Sequence, residues 1–600
     1  MKTRYIIGIL ALCIAASLYL RIVLPYDSIL AGEWIKFSGV DAYWQMSQVD
    51  KIAPDFPAYI TRIFQTPFFV WALAGITWCI GLGSPTQHTI DIVGVYFPAI
   101  LAALTVVPIY FIGKTMFSKA VGVIAAIVIA ILPGEWLGRS ILGFTDHHVM
   151  EVLLSTTVMM FFAMAIKASG RSRVIFTLLT GIVLVLYLRT FLGGLFLVVI
   201  IAAHLCATIL VNIISRRKEL YPIVIIASGV IVAVVFFALN PEAIGHAGLI
   251  LGSITGNTGI TTIEMQPILF PNGAFNPMIL WYTFGFLVLL APLALIILAG
   301  RAVKYRDSGT ILLVIWSIAS LVLMLEYRRF AYYFAVNASL LTGWFIWYAW
   351  CRLKATSVIF AYAAAAIILA VMVIPNAQAA VSSAKNPPYT PSDAWCESMD
   401  WLKDNTPQDS VILAWWDYGY WIERMGKRHA YVNPSQQANL IRNTADAFIN
   451  GGNIEADYFI IDSNTVNGKF WAIATWNDNQ PSDFSETYYL IDGSKVNPVM
   501  LFYPEYYESL VVRLYNFNGA DTVSRQSTVI SFDGKNLTSV DVYATYDEAI
   551  SKLSEGQRLV GTHPFISPIP LKGVREYELV YQSSQTVNGV SEVKIFKKGG

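Results

Sequence analysis

Apolar stretches of spanning length recur along the first two thirds of the chain, separated by short polar connections. An opening run from Tyr5 to Leu24 follows Met1-Lys2-Thr3-Arg4; it is too long for the apolar region of a signal peptide and has no clear small-residue cleavage site, so it predicts a first membrane helix. Further runs lie at about Ile92–Ile112, Ala120–Leu132, Val149–Ala165, Val174–Leu188, Phe191–Ile214, Tyr221–Leu239, Met278–Leu298, Ile311–Leu325, Ala331–Trp350 and Val358–Ile374. Phe68–Gly81 is short and contains Gly and Trp, which predicts an interfacial or re-entrant helix. Basic clusters (Lys114/Lys119, Lys167/Arg171/Arg173, Arg216/Arg217/Lys218, Arg301/Lys304/Arg306, Arg352/Lys354) fall at every second connection. By the positive-inside rule those loops and the N-terminus are cytoplasmic, and loops 25–90, 133–148 and 240–276 face outside with everything beyond Pro375.

After Pro375 the pattern changes. Pro387, Pro388 and Pro391 mark a linker, Ser392 can cap a helix to about Asp404, and Val411–Ala414 and Ala456–Asp462 read as buried strands. Alternating stretches at Thr522–Phe532, Thr538–Ala544, Tyr577–Gln582 and Ser591–Phe596, with a helix at Tyr546–Ser554, predict a mixed α/β domain. The expected division is 1–375 in the membrane and 376–600 outside it, in an extracytoplasmic domain.

Composition agrees: 56% of the 600 residues are hydrophobic and 14% charged, outside the soluble globular range. The net charge of +1 gives no case for a nucleic-acid partner. Of five cysteines only Cys396 lies in the polar C-terminal region, so no disulfide forms within that domain.

Candidate chemistry gathers on the outer side. Strand Val411–Ala414 runs into Trp415-Trp416-Asp417-Tyr418-Gly419, where indole N–H donors, a carboxylate acceptor and a conformationally free glycine suit a small hydroxyl-bearing ligand in a dry pocket. An aromatic plug over a core strand is the plainer reading of two tryptophans. In the outer loops Asp41 stands in Ser38-Gly39-Val40-Asp41, Asp146-His147-His148 follows Gly143-Phe144-Thr145, and Glu264 ends Thr261-Thr262-Ile263-Glu264. Asp and His at i and i+2 can face one ion, and a distant Asp makes an oxygen-rich site suited to Mn²⁺ or Mg²⁺ rather than structural zinc. Solvated loop residues are the alternative. Arg328 and Arg329 lie at the outer end of a span, where guanidinium groups either snorkel or bind phosphate.

Trp-Trp-Asp-Tyr-Gly at 415–419 resembles the signature of the catalytic subunit of oligosaccharyltransferase, the membrane enzyme that moves a glycan from a lipid carrier to asparagine. The outer-loop residues fit the same resemblance, which implies a polytopic α-helical membrane protein of the GT-C type with 11–13 transmembrane helices. Eleven spans are counted above, and the family's thirteen leave room for two short helices within Leu153–Ile214. Asp146-His147-His148 resembles the archaeal Asp-x-His form of the family's metal motif, implying that Asp41, Asp146 and His148 bind the metal. The resemblance also assigns Glu264 to the fifth external loop's catalytic Glu, although Thr262 breaks the archaeal Thr-Ile-x-Glu pattern, and places the lipid-linked glycan's phosphate on Arg329, with Arg328 beside it. Asp462 followed by Lys469 and Ile473 resembles the second C-terminal motif, with a longer gap than usual; Ile473 would pack on the acceptor threonine's methyl while Lys469 shapes the pocket.

On this reading Asp41 and Glu264 accept the two N–H bonds of the acceptor carboxamide, and the C-terminal motif holds the Ser or Thr hydroxyl of an Asn-x-Ser/Thr sequon. The donor is a dolichyl phosphate or diphosphate glycan, and the protein acts as a single subunit in the cell membrane. Two other classes stay open. A lipid-phosphate-sugar O-mannosyltransferase, or another GT-C glycosyltransferase, shares the outer acids and metal; a transporter or sensor predicts intramembrane charged pairs, of which the sequence has few.

Overall fold

Arg21 shows how the first helix is anchored in the computed structural model, which describes residues 2–599 apart from 217–220, 224, 228, 230–262, 388–389, 493–494 and 525. Helix Thr3–Leu18 continues as a π turn, Tyr19–Val23, that rotates the fully buried Arg21 inward. Its guanidinium donates to Ser140 Oγ (2.8 Å), Ser17 Oγ (3.0 Å) and the Ala130 carbonyl (3.3 Å), so the buried charge is solvated by protein oxygens. Leu20 packs with Leu137, Ile141, Phe144, Ala380 and Ala384, which fixes the loop after helix Lys119–Ile131.

The chain divides into two compact units, Met1–Thr390 and Pro391–Gly600. Eight helices among the described residues of the first are long and apolar enough to cross a membrane, as a multi-pass protein requires. They include Gln87–Met116, His148–Lys167, Gly170–Thr190, Leu195–Ser215, Leu287–Tyr305, Ser308–Glu326 and Val358–Ala384. Phe68–Ile80 and Lys119–Ile131 are shorter apolar helices of 13 residues each. The span expected at Tyr221–Leu239 and most of loop 240–276 lie outside the described residues.

Two expectations change here. The segment 153–214 hides no additional pair of helices: it holds three continuous ones joined by short breaks at 168–169 and 191–194. The division at 375 is also displaced, because helix Val358–Ala384 passes through Pro375 for nine more residues. Proline removes one donor and kinks a helix without having to end it when its neighbours satisfy the freed carbonyl.

The second unit carries two five-stranded sheets. One has the order His429–Ala430, Val411–Leu413, Tyr458–Asp462, Val593–Lys598, Tyr577–Gln582; the first three run parallel and the last two pair antiparallel. Its central strands are buried: Ile412, Leu413, Phe459, Ile460, Ile461, Ile595 and Phe596 have no exposed surface, as expected of continuous apolar runs flanked by helices. The helix predicted from Ser392 is present as Asp393–Asn405, with Ser392 Oγ accepting from Trp395 N at 3.3 Å. The second sheet, in the order Lys495–Phe502, Ser485–Asp492, Asn536–Tyr543, Ser527–Asp533, Gln557–Val560, contains a hairpin that periodicity did not predict. Strands at Ser527–Asp533, Asn536–Tyr543, Tyr577–Gln582 and Val593–Lys598 fall where alternation places them. All five cysteines are free.

Candidate active site

Asp41 is the second residue of helix Val40–Ile52, whose N-cap, Gly39, sits at φ 87°, a conformation that a side chain would strain. A Cβ there would also meet the Phe144 ring at 3.1 Å. Ser38 N donates to the Gly143 carbonyl at 2.9 Å, and Gly143 N donates to Val95 O at 2.9 Å, so the loop bearing Asp41 is laced to the loop bearing Asp146. Residues 101 positions apart meet in consequence: Gln45 donates to Asp146 Oδ1 at 3.2 Å.

Asp146 is 2% exposed and gathers both imidazoles. His147 Nδ1 lies 2.5 Å from Oδ1, His148 Nδ1 lies 3.1 Å from Oδ2, and the His147 backbone N–H donates to Oδ1 at 2.6 Å. Arg139, which no motif marks in the sequence, connects the loop bearing Glu264 to this cluster. Its guanidinium pairs with Glu264 Oε2 at 2.7 Å and Glu135 Oε2 at 2.9 Å, and approaches His148 Nδ1 at 3.3 Å. Glu135 and Arg139 stand four residues apart in the outer loop, a spacing visible in the sequence.

The charges tune one another. Water reaches Asp41, yet crowding by protein atoms, followed by the negative charges of Asp146 and Glu264, pushes its carboxyl up to about 7. Burial works against ionisation of Glu264, but the Arg139 and Arg329 guanidiniums outweigh it and hold the carboxyl down at about 2. For His147 burial favours the neutral ring, and the Asp146 carboxylate overcomes it, raising the imidazole to about 9. Asp146 is held well below the usual carboxylate range against its burial by His147 and His148.

The two arginines behave differently. Arg328 pairs through Nε with Glu135 Oε1 at 2.7 Å and its backbone N–H donates to Gln266 O, so one edge of its guanidinium is held by a protein carboxylate. Arg329 stacks over the Phe191 ring at 4.9 Å, faces Glu264 and Glu151, and keeps its buried Nε without a hydrogen-bond partner among the described residues.

In the second unit, strand Val411–Leu413 leads through Trp415 into a 3₁₀ turn, Trp416–Tyr418, and helix Gly419–Arg424. Gly419 does not use the special backbone conformation expected of it from the sequence; it is helical at φ −55°, ψ −43°. Glycine is needed there for space, since a Cβ would meet Asn433 Cα and Val432 O at 2.5 Å. Trp415 is 1% exposed and packs inside the unit, whereas Trp416 and Asp417 are half-buried. Trp416 Nε1 and Asp417 Oδ1 are both buried atoms without hydrogen-bond partners among the described residues. Asp417 Oδ2 is ion-paired with Lys469, whose ammonium lies 4.3 Å over the Tyr418 ring. Lys469 is thus at the motif as anticipated, but Ile473 is not at a surface: it has no exposed area, being on the inward side of helix Phe470–Trp476. Its seven-residue helix turns an apolar stripe inward, and Ile473 belongs to that stripe with Phe470 and Ala474.

The residues present fit a divalent cation. The two oxygens of Asp146 lie within 3.1 Å of imidazole nitrogens of His147 and His148, and the charges of Asp146 and His147 act on Asp41. Such a mixed hard and intermediate donor set suits Mn²⁺, Mg²⁺ or Zn²⁺.

Residues 65–382 match the model of the family described as oligosaccharyl transferase STT3, N-terminal. The chain is similar to dolichyl-phosphooligosaccharide-protein glycotransferase 3 of Archaeoglobus fulgidus, with 22% identity covering 81% of this chain and 72% of that protein. It is also similar to the dolichyl-monophosphooligosaccharide–protein glycotransferase of Haloferax volcanii, with 28% identity over 30% of this chain and 18% of that protein. Its fold is that of the A. fulgidus oligosaccharyltransferase crystallised with a tethered acceptor peptide containing an NVT sequon: TM-score 0.73, 19% identity, covering 100% of this chain and 89% of that one. The same enzyme has been solved in complex with zinc and sulfate, at TM-score 0.68 and 18% identity, covering 98% of this chain and 88% of that one.

Proposed function

Because the chain belongs to the oligosaccharyl transferase STT3 family, we propose that it transfers an oligosaccharide from a dolichyl phosphate or diphosphate carrier to the asparagine of Asn-x-Ser/Thr sequons. The observation that carries the reading is the cluster joining Asp41, Asp146, His148, Arg139, Glu264 and Arg329 from four separate loops. A carboxamide nitrogen is a poor nucleophile because its lone pair is delocalised. Asp41 and the free oxygen of Glu264 each accept one amide N–H, which twists the C–N bond and localises the pair. Arg139 keeps Glu264 ionised for this task and fixes its orientation.

Arg329 binds the phosphate of the lipid-linked donor through its unpaired Nε, while Arg328, held by Glu135, supports the loop. Asp41, Asp146 and His148 would hold a divalent cation, Mn²⁺ or Mg²⁺, which when bound would supply positive charge against the negative charge of the departing phosphate. In the second unit Trp416 Nε1 donates to, and Asp417 Oδ1 accepts from, the Ser or Thr hydroxyl of the sequon, a pairing that satisfies two buried atoms at once. Lys469 orients Asp417, and Tyr418 and Gly419 shape the turn; Trp415 and Ile473 act from beneath as packing. The acceptor-binding domain lies outside the cell and the N-terminus inside.

The test is incubation of the purified protein with lipid extract from its host, Mn²⁺ and a labelled Asn-x-Thr peptide, read by mass spectrometry. Glycan on the Asn nitrogen is the expected product. Sugar on a Ser or Thr hydroxyl instead would replace this reading with the O-glycosyltransferase one.

A further inference from the structure

Glu151 lies one helical turn below His147, fully buried, and no functional role above uses it. Its Oε2 accepts from the Tyr333 hydroxyl at 2.6 Å and the Tyr332 hydroxyl at 3.2 Å, and Tyr333 is bonded in turn to the Tyr187 hydroxyl at 2.8 Å. Its Oε1 has no hydrogen bond among the described residues, and a close neighbour is His147 Nε2 at 3.1 Å, which a small ring tilt would align. The other ring nitrogen, Nδ1, faces Asp146 Oδ1 at 2.5 Å, and His148 Nδ1 faces the second oxygen of the same carboxylate.

We propose that Glu151 is a positioning residue which fixes the ring of His147 through Nε2–H, so that His147 Nδ1 joins Asp41, Asp146 and His148 as a fourth metal donor. The inference rests on the metal-dependent reading above. A carboxylate behind an imidazole sets the tautomer and orientation of a ligating histidine and makes it more basic. Glu151 suits that outer position better than direct ligation, since two tyrosine hydroxyls already occupy its Oε2. His147 Nδ1 and His148 Nδ1 already flank the two oxygens of Asp146, at 2.5 and 3.1 Å, and His147, His148 and Glu151 offer ligand atoms within 4.8 Å of one another. Binding of a cation would release to solvent the proton between His147 Nδ1 and Asp146 Oδ1, while the Nε2 proton stays on the ring, directed at Glu151 Oε1.

The substitution Glu151→Gln is informative because glutamine's carbonyl can keep the tyrosine hydrogen bonds while its NH₂ faces His147 Nε2. That donor forces the ring into the Nδ1–H tautomer and removes Nδ1 as a ligand. The experiment titrates the purified full-length protein with Mn²⁺, followed by electron paramagnetic resonance and by pulsed detection of nitrogen couplings. Expected are loss of binding in Asp146→Ala, affinity lowered about tenfold or more in Glu151→Gln and in His147→Ala, and no further loss in the double variant. Two coupled imidazole nitrogens in the wild type should fall to one in either single variant.

Wild-type affinity in Glu151→Gln, with Asp146→Ala inactive in binding, overturns this inference and leaves the metal site intact. An equal loss from Glu151→Gln in the His147→Ala background overturns it too, since Glu151 then acts elsewhere. A wild type that binds no Mn²⁺ overturns the metal reading and the inference together. Should Glu151→Gln fail to fold, His147→Gln at the partly accessible ring carries the test: an unchanged nitrogen count refutes the fourth donor.

Discussion

The Tyr418 hydroxyl donates to Asp462 Oδ2 at 2.8 Å, across 44 residues, and so joins the two C-terminal motifs into one structure. The same carboxylate accepts from Trp395 Nε1 at 3.0 Å, Thr465 N at 2.7 Å and Thr465 Oγ1 at 2.5 Å. Asp462 is therefore the tie that sets the floor beneath Trp416 and Asp417, and it caps helix Ser463–Asn467 in doing so.

Removing that tie should loosen the pocket. Asp462→Ala strands four buried donors and should cost about 3 kcal/mol or more. Hydrogen exchange of the full chain would report it as lost protection over 411–424 with little change in His148–Lys167. Equal exchange in both segments would mean that the carboxylate matters less than its partners imply.

The hydroxyl pocket predicts a separation of kinetic parameters. Trp416→Phe deletes the N–H and keeps the ring, and Asp417→Asn weakens the acceptor; each should raise the peptide KM about tenfold (~1.4 kcal/mol) with kcat nearly unchanged. A fall in kcat at constant KM would place these groups in the transition state instead.

Chelation and ligand removal should agree. EDTA, Asp146→Ala, Asp41→Ala and His148→Ala should each stop transfer by the purified protein, and Mn²⁺ should restore only the chelated wild type. Full turnover in chelator would remove the metal from the mechanism.

Asp41 gives that binding a pH dependence. Its carboxyl titrates near 7 in the cation-free cluster, so below that pH a proton must leave before the cation binds. Through this group Mn²⁺ affinity should fall about tenfold per unit below about pH 7, in addition to the slope that the His147 imidazole contributes up to about 9. Asp41→Asn, though weaker throughout, should lose this step in calorimetric titrations; a step that persists belongs to another residue.

Two sequons in the chain test orientation. Asn536-Leu537-Thr538 begins an exposed strand, but Asn536 is already paired with Asp533 and Tyr489. Glycan on Asn536 in protein from its native host is expected, added before that strand pairs. Asn337-Ala338-Ser339 is buried in helix Ala331–Lys354, with Asn337 Nδ2 donating to Ser317 Oγ at 3.2 Å, and should be bare. Peptide mass mapping distinguishes them, and a glycan at Asn337 would contradict the topology.

The sequence by itself marked the eight spanning-length helices among the described residues, because a spanning segment must satisfy its backbone internally and show an apolar run of about 20 residues. It also determined the central strands of the second unit, whose burial on both faces leaves an apolar run, and the identity of the outer acids, which stand beside recognisable neighbours. Tertiary structure alone decided which atoms meet. Glu151 and Tyr332 are 181 residues apart and Arg328 and Glu135 are 193 apart, separations that leave no periodic trace. The same is true of Ile473 and Trp415, whose apolar character fits either a ligand or a core; only the packing around them shows that they face inward. Helix Val358–Ala384 makes the complementary point: Pro375 carries a local tendency to end a helix, yet the helix runs through it to Ala384, as a spanning segment must satisfy its backbone internally.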